Sequence, residues 1–316
     1  MSAETEPGPQ PRFLAMLTAN VWVKRTLYVL RWAFPVVLIV IVGMRLSELG
    51  WAQMWAARPS NAGFYLLLVA QFFIQPFGDF LVYRNLWGAA NRPPLPVILR
   101  KRFLNSAMLD YSGEVFFYFW AQKRVKLPHS MVIHSIKDSN VLSAGAGLTM
   151  VWVMALLLIA TGGLQIPASV TEHLWIYLLV GSIPLWLCAI LVLGHSKVTV
   201  LSRMQIAATY AIHFSRCVAV LAVEFGLWEL SGALPGPVAS LQFVALRLVV
   251  TRLPFVPNKD LIYVGAGIAA AGMANMAVTP IATVLVIIAA ADLLLAATVA
   301  GIPWAYDHFI RRKDIP

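Results

Sequence analysis

The sequence predicts an all-α fold: a polytopic helical membrane protein with about six to eight embedded helices, one or two re-entrant hairpins and a weak internal repeat. Three observations carry that reading. Hydrophobic residues fill 60% of the 316 positions and charged ones only 12%, where a soluble domain carries about a quarter charged. Apolar runs of about 20 residues recur, each long enough to cross about 30 Å of hydrocarbon. The net charge of +10 sits in short basic segments beside those runs, as the positive-inside rule expects. No basic soluble domain is present, so nucleic acid is not an expected partner.

Residues 1–12 hold Glu4, Glu6, Pro7, Pro9 and Pro11. They read as a disordered cytoplasmic tail, without the basic start and apolar middle of a signal peptide. Residues 13–310 form one integral membrane domain, and 311–316, with Arg311, Arg312 and Lys313, a second cytoplasmic tail. Phe13–Arg25 suits a helix lying in the interface. The first span covers about Leu27–Leu46, with Arg31 placed to snorkel. The second, about Phe64–Tyr83, is polar in its later half, with Gln71, Gln75, Pro76, Gly78 and Asp79.

A basic segment follows with Arg84, Arg92, Arg100, Lys101 and Arg102. Another lies beyond Trp120, with Lys123, Arg124, Lys126 and Lys137. If both flanks stay in the cytoplasm, Phe103–Trp120 cannot cross once. It should re-enter as a hairpin broken at Asp110–Gly113, or lie on the surface. Ser139–Thr161 is an uncharged span leading outside to Gly162–His173, which lacks Lys and Arg. Leu174–Leu193 returns to Lys197 and Arg203, and Thr209–Leu230 goes out again carrying Arg216 and Glu224.

Between Pro237 and Arg311 an odd number of crossings is required. Three crossings satisfy this, and so does one crossing plus a second hairpin broken at Pro254–Asp260. The second choice makes the two halves alike, and paired interrupted segments mark the binding site in many transporters.

Charged side chains in a bilayer cost about 2.5–3.5 kcal/mol each at a helix centre on insertion scales, so each needs a reason. Glu114 follows Gly113 where the first hairpin breaks, with Arg102 and Asn105 on the arm before it. That suits a polar site for a lipid head group, or an ion pair holding the hairpin shut. Arg252, Asn258, Lys259 and Asp260 stand beside Pro254 and Pro257, as a cavity wall or an ordinary loop. Arg216 and Glu224 share one helix face two turns apart, so each should meet another helix. Asp292 suits a proton site or a helix–helix contact. Gly265-Ala-Gly267 with Gly272 imitates a dinucleotide fingerprint but lacks the strand before it, so close helix packing explains it. Cys188 and Cys217 read as small hydrophobes. There is no zinc spacing, phosphate loop or nucleophile elbow, so no metal, cofactor or soluble catalytic machinery is expected.

The stretch Leu81–Arg124 resembles the transmembrane region of the lysylphosphatidylglycerol synthase family, the flippase-like integral membrane proteins. Arg84-Asn-Leu-Trp87, Arg102-Phe-Leu-Asn105, Gly113-Glu114 and the basic end Lys123-Arg124 follow its order. Leu253-Pro-Phe-Val-Pro257 resembles its second motif. Leu109-Asp110-Tyr111-Ser112 stands where the family usually has Pro, and Asn258-Lys259-Asp260 where its second motif is usually Gly-rich and ends in Glu. No soluble aminoacyl-transfer domain is expected, so synthesis of an aminoacylated lipid is not implied. The resemblance implies a lipid-handling domain of a bacterial inner membrane, with both termini cytoplasmic. It would bind and translocate a polar or charged lipid, either a phospholipid or a lipid-linked glycan. The expected substrate-binding residues are Arg84, Arg102, Asn105, Glu114, Arg252, Asn258, Lys259 and Asp260. A lipid-synthesis enzyme and a second copy of the chain are candidate partners. The alternatives are a membrane-embedded enzyme acting on a lipid-linked substrate and an ion-coupled solute transporter.

Overall fold

The computed structural model describes residues 40, 43–44, 46–107, 111–165, 171–253 and 258–301. The expected interfacial helix, most of the first span and both tails lie outside them. The chain divides after Glu48. In the first unit, the Ser47 hydroxyl donates to the Met44 carbonyl at 2.8 Å. The second unit begins at Leu49, and no strand occurs among its described residues.

A short helix α1 (Trp51–Ala56) leads into α2 (Ala62–Trp87). The Asn61 side chain caps α2 by accepting from the Gly63 amide at 2.8 Å, satisfying one of the donors that every helix start leaves free. Gly88 ends α2 at φ 76. Two arms follow, α3 (Leu95–Ala107) and α4 (Ser112–Arg124), then the long α5 (His129–Ala160). Next come α6 (Leu174–Gly181) and α7 (Ile183–Leu193), where the sequence predicts one uninterrupted span. Pro184, in the first turn of α7, has no amide hydrogen to continue the ladder from α6. The second long pair is α8 (Arg203–Ser231), a second hairpin of α9 (Pro237–Arg252) and α10 (Lys259–Met273), and α11 (Val278–Ala296). Ser202 and Gln205 form a reciprocal capping box at the start of α8.

The chain is a helical membrane protein. Four helices, α2, α5, α8 and α11, are long and apolar enough to cross a bilayer. At 1.5 Å per residue, each hairpin arm reaches only about 20–24 Å, less than about 30 Å of hydrocarbon. Both α5 and α8 start several residues earlier than their apolar runs, at His129 and Arg203.

The expected repeat is present as span–hairpin–span, twice: α2–α3–α4–α5 and α8–α9–α10–α11. Helices α2 and α8 pack against each other antiparallel. Gln71 meets Glu224, Asp79 meets Arg216, and Asn85 meets Gln205 and Thr209. Gln71 precedes Asp79 by eight residues, and Arg216 precedes Glu224 by eight. Each helix therefore gives the other a carboxylate and takes one back, as a local two-fold axis requires. Antiparallel packing of equivalent helices makes the repeats inverted, the arrangement of many transporters.

The hairpins obey the same relation. In each, the residue just before the second arm has a left-handed backbone: Tyr111 at φ 72 and Asn258 at φ 53. In each, a carboxylate opens the second arm and pairs with a cation thirteen residues earlier on the first: Glu114 with Lys101, and Asp260 with Arg247. The first hairpin is longer at its start than the sequence predicts. Arg100, Lys101 and Arg102 lie inside α3, not in a flanking loop, because Lys101 turns inward to a buried carboxylate. Gly267, from the glycine-rich run, packs against Leu285, the close helix contact expected of it.

Candidate functional site

The first hairpin, α2, α5 and α8 enclose a polar cavity of about 90 Å³. Each wall comes from a recognisable local pattern. Helix α2 offers Gln75 and Asp79, four residues apart and so on one face, with Pro76 between them. Pro76 supplies no amide hydrogen and releases a backbone carbonyl inside the helix, which is tolerated where the helix lines protein or a cavity. Helix α5 offers Ser139, Asn140 and Ser143, and α8 offers His213 and Arg216. The hairpin supplies Lys101, Arg102, Asn105 and Glu114.

The hairpin closes around Gly113. Its amide donates to the Asn105 side-chain oxygen at 2.6 Å, and the Ser112 hydroxyl donates to the Leu104 carbonyl at 2.7 Å. A Cβ at Gly113 would run into the Lys101 carbonyl, so only glycine allows the arms this near. Asn105 thus caps α4, and the close approach brings Glu114 opposite Lys101.

Asp79 is the hub. It accepts from Lys101 Nζ at 2.7 Å and from the Arg216 guanidinium. Lys101 also faces Glu114 Oε1 at 3.3 Å and sits 5.5 and 5.8 Å from the Tyr83 and Phe117 ring centres. The two rings add cation–π attraction to a cation only 6% exposed. Arg216 crosses α2 over Gly78, where a Cβ would sit 2.5 Å from its Cδ, and donates to Ser143 at 3.0 Å. Arg102 donates to Gln75 at 2.7 Å and to Asp292 on α11, with its guanidinium over the Phe72 ring. Buried charges are tolerable only when paired and hydrogen-bonded, and here nearly every arm is occupied. Among the side chains that line the cavity, three atoms are the exception. Arg102 Nε, Glu114 Oε2 and His213 Nδ1 are buried without a hydrogen-bond partner. The other nitrogen of His213 lies 3.1 Å from the Ser139 hydroxyl.

Glu114 also borders an apolar groove of about 380 Å³ on the outer side of the hairpin. Tyr111, Val115, Tyr118, Phe119, Ile133 and Ile136 line it, with Lys137 at its rim. Tyr111, Val115 and Phe119 are more than half exposed.

A second charged cluster sits in the inverted repeat. Glu224, 1% exposed, accepts from Gln71, from Arg247 at 2.7 Å and from Tyr263 at 3.3 Å. Arg247 reaches Asp260 at 3.6 Å. Trp228 donates to the Tyr263 hydroxyl at 3.3 Å, and no orphaned atom is found on these side chains among the described residues. A third cluster lies near the start of α5. Asp138 is fully buried there, bonded to Thr199 and faced by Lys137 at 3.2 Å and His134 at 3.7 Å.

Of the residues the sequence nominates, Arg102, Asn105 and Glu114 line the cavity. The other five do not. Arg84 lies exposed in the last turn of α2. Arg252 lies over Gly147 of α5 and reaches the Cys217 sulfur at 3.4 Å. Asn258 starts α10, Lys259 reaches the Thr251 carbonyl at 3.4 Å, and Asp260 belongs to the second cluster. Asp292 makes a helix–helix ion pair with Arg102. Ser139, Asn140, Ser143 and His213 were not nominated. Their signal is a polar stripe at helical spacing within apolar runs, Ser139 with Ser143 and His213 with Arg216, which only a bundle interior or cavity accommodates. Among the described residues, no group of His, Cys, Asp and Glu side chains could hold a metal ion. Compared with known proteins, the chain matches no family model, no curated protein and no solved structure.

Proposed function

We propose that this protein binds a phospholipid by its head group and carries it between the leaflets of a bacterial inner membrane. The observation that carries this reading is Glu114, a wall of both the polar cavity and the apolar groove. A molecule touching both sides of Glu114 must be polar at one end and apolar at the other. A phospholipid meets that demand, with its head among Asp79, Lys101, Arg102 and Arg216 and an acyl chain along Val115, Phe119 and Ile133. Charged cavity walls replace water around the head group, lowering the cost of drawing it into hydrocarbon. The inverted repeats supply two related hairpins that can open in turn toward opposite leaflets. The motif order Arg102–Asn105, Gly113-Glu114 and Lys123-Arg124, which resembles the lysylphosphatidylglycerol synthase transmembrane region, points the same way.

The basic ends Arg84, Arg124 and Arg203 lie together in the alternation of the spans, whereas residues 162–165 and 231–236 contain no Lys or Arg. By the positive-inside rule the basic ends are cytoplasmic. The first hairpin then opens from the cytoplasmic side, and cytoplasmic termini are part of the same proposal.

The test is leaflet exchange in proteoliposomes. Phospholipids labelled on an acyl chain are mixed in, and a membrane-impermeant quencher reports the outer leaflet. Wild type should expose the protected label, and Glu114→Gln and Arg102→Ala should slow it. Protein that exposes no labelled phospholipid above empty vesicles would sink the proposal. A second reading, a membrane-embedded hydrolase, draws on the Ser139–His213 contact of 3.1 Å. The free His213 Nδ1 lacks the acidic partner that orients such a base, so translocation is favoured.

A further inference from the structure

Unpaired polar atoms on three side chains that line the cavity specify what the head group must be, on the premise that the cavity is a lipid head-group site. Arg102 Nε can only donate a hydrogen bond, and an ionised Glu114 Oε2 can only accept one. Both are buried and without a partner. Leaving such groups unpaired is costly, more so for charged ones, so their ligand should bring one acceptor and one donor. His213 Nδ1, the third orphan, serves in either role according to its tautomer.

Charge counting narrows the class further. Lys101, Arg102 and Arg216 face Asp79, Glu114 and the Asp292 bound to Arg102. Three cations thus meet three carboxylates, the imidazole apart. A ligand with net charge would leave that charge buried and uncompensated, which is strongly unfavourable. A ligand of zero net charge with separated poles would not. Volume is the last constraint. The cavity is compact, about 90 Å³. That suits a small head group rather than a glycan.

We infer that the cavity selects a small zwitterionic head group, an oxyanion joined to a primary ammonium in the manner of phosphoethanolamine. The oxyanion takes the hydrogen of Arg102 Nε, and the ammonium donates to Glu114 Oε2. Glu114 is then the specificity residue, because it sits where the head leaves the cavity for the apolar groove.

Calorimetric titration of the purified protein in detergent tests this with three probes: dihexanoyl phosphatidylethanolamine, dihexanoyl phosphatidylglycerol and tail-less glycerophosphoethanolamine. The ethanolamine lipid should bind about ten-fold more tightly than the anionic glycerol lipid, the size of one charge-assisted hydrogen bond. Glu114→Gln should abolish that difference, and Glu114→Asp should restore part of it. Arg102→Lys keeps the charge but removes Nε, and should weaken both lipids alike. Glycerophosphoethanolamine should bind much more weakly than the lipid. If it binds as tightly, the ligand is a soluble zwitterion rather than a lipid. Equal or tighter binding of the glycerol lipid, no binding of either lipid, or an ethanolamine preference that survives Glu114→Gln overturns the assignment. Leaflet exchange is read separately. A protein that prefers the ethanolamine lipid but moves none keeps this inference and loses the translocation reading.

Discussion

The two inverted repeats carry the same three-charge design in different surroundings. In the first, Asp79 on the span, Lys101 on the first arm and Glu114 at the start of the second arm surround an open cavity with unpaired atoms. In the second, Glu224, Arg247 and Asp260 hold equivalent places. There Tyr263, Trp228 and Gln71 fill the space and occupy the remaining hydrogen-bonding positions. An ion-pair chain is therefore not by itself a binding site. It becomes one where its neighbours leave room and leave atoms unsatisfied. The equivalent of Tyr263 in the first hairpin is Phe117, whose ring has no hydroxyl to offer the carboxylate. By the same relation Trp228 corresponds to Tyr83, whose hydroxyl is buried without a partner, and Ser139 and Ser143 of α5 line the cavity that stays open beside it.

The largest test of that difference is stability. Asp79→Asn strands Arg216 and leaves Lys101 with Glu114 alone, and should lower the unfolding free energy by about 3–5 kcal/mol. Glu224→Gln strands no cation, since Arg247 keeps Asp260, and should cost less. Thermal unfolding of both variants in detergent checks the order, and a Glu224→Gln as damaging as Asp79→Asn would break the comparison. Next come the glycines of the second arms. Gly113→Ala drives a methyl into the Lys101 carbonyl and should cost about 1–3 kcal/mol. Gly267→Ala meets the Leu285 side chain, which can turn aside, and should be milder in the same melt.

A functional contrast follows, smaller in free energy and sharper in meaning. Glu114→Gln should slow leaflet exchange about ten-fold, as expected for one lost charge-assisted contact. Asp260→Asn should leave the rate near wild type, since Asp260 is not among the residues that line the cavity. Similar losses in both would mean that both hairpins hold substrate. The smallest effect belongs to Ser139→Ala. It should change exchange by less than about two-fold, the loss of one weak neutral hydrogen bond, whereas a hydrolase would lose its nucleophile and its activity.

Much of the first hairpin was legible in the sequence. Basic flanks on both sides of a short apolar stretch called for either a re-entrant hairpin or a surface segment, and the structure folds it as two arms. Glycine followed by glutamate at the break, with Asn105 upstream, pointed to the residues that now close around Gly113. The second hairpin was legible only as one of two alternatives, because Arg252, Asn258, Lys259 and Asp260 read equally well as an ordinary loop between two spans. Arg252, Asn258 and Lys259 were drawn into the expected site by their nearness in sequence to two prolines. That nearness says nothing about which face of α9 or α10 they occupy. His213 and Ser139 went unnoticed because a single polar residue in an apolar run carries little signal until its helix is set beside another.

Composition and hydropathy by themselves determined that this chain lives in a bilayer as helices. That constraint is local, since every backbone group in hydrocarbon must be satisfied within its own helix. Charge bias at the loops marked which segments are expected not to cross. Only the tertiary structure decided which charges meet. Ion pairs such as Asp79 with Arg216 join residues far apart in the chain, and their partners are set by how α2 and α8 pack antiparallel. It also decided that one triad stays open and its inverted copy is filled, because that depends on side chains from α2, α5 and α8 converging from different parts of the chain.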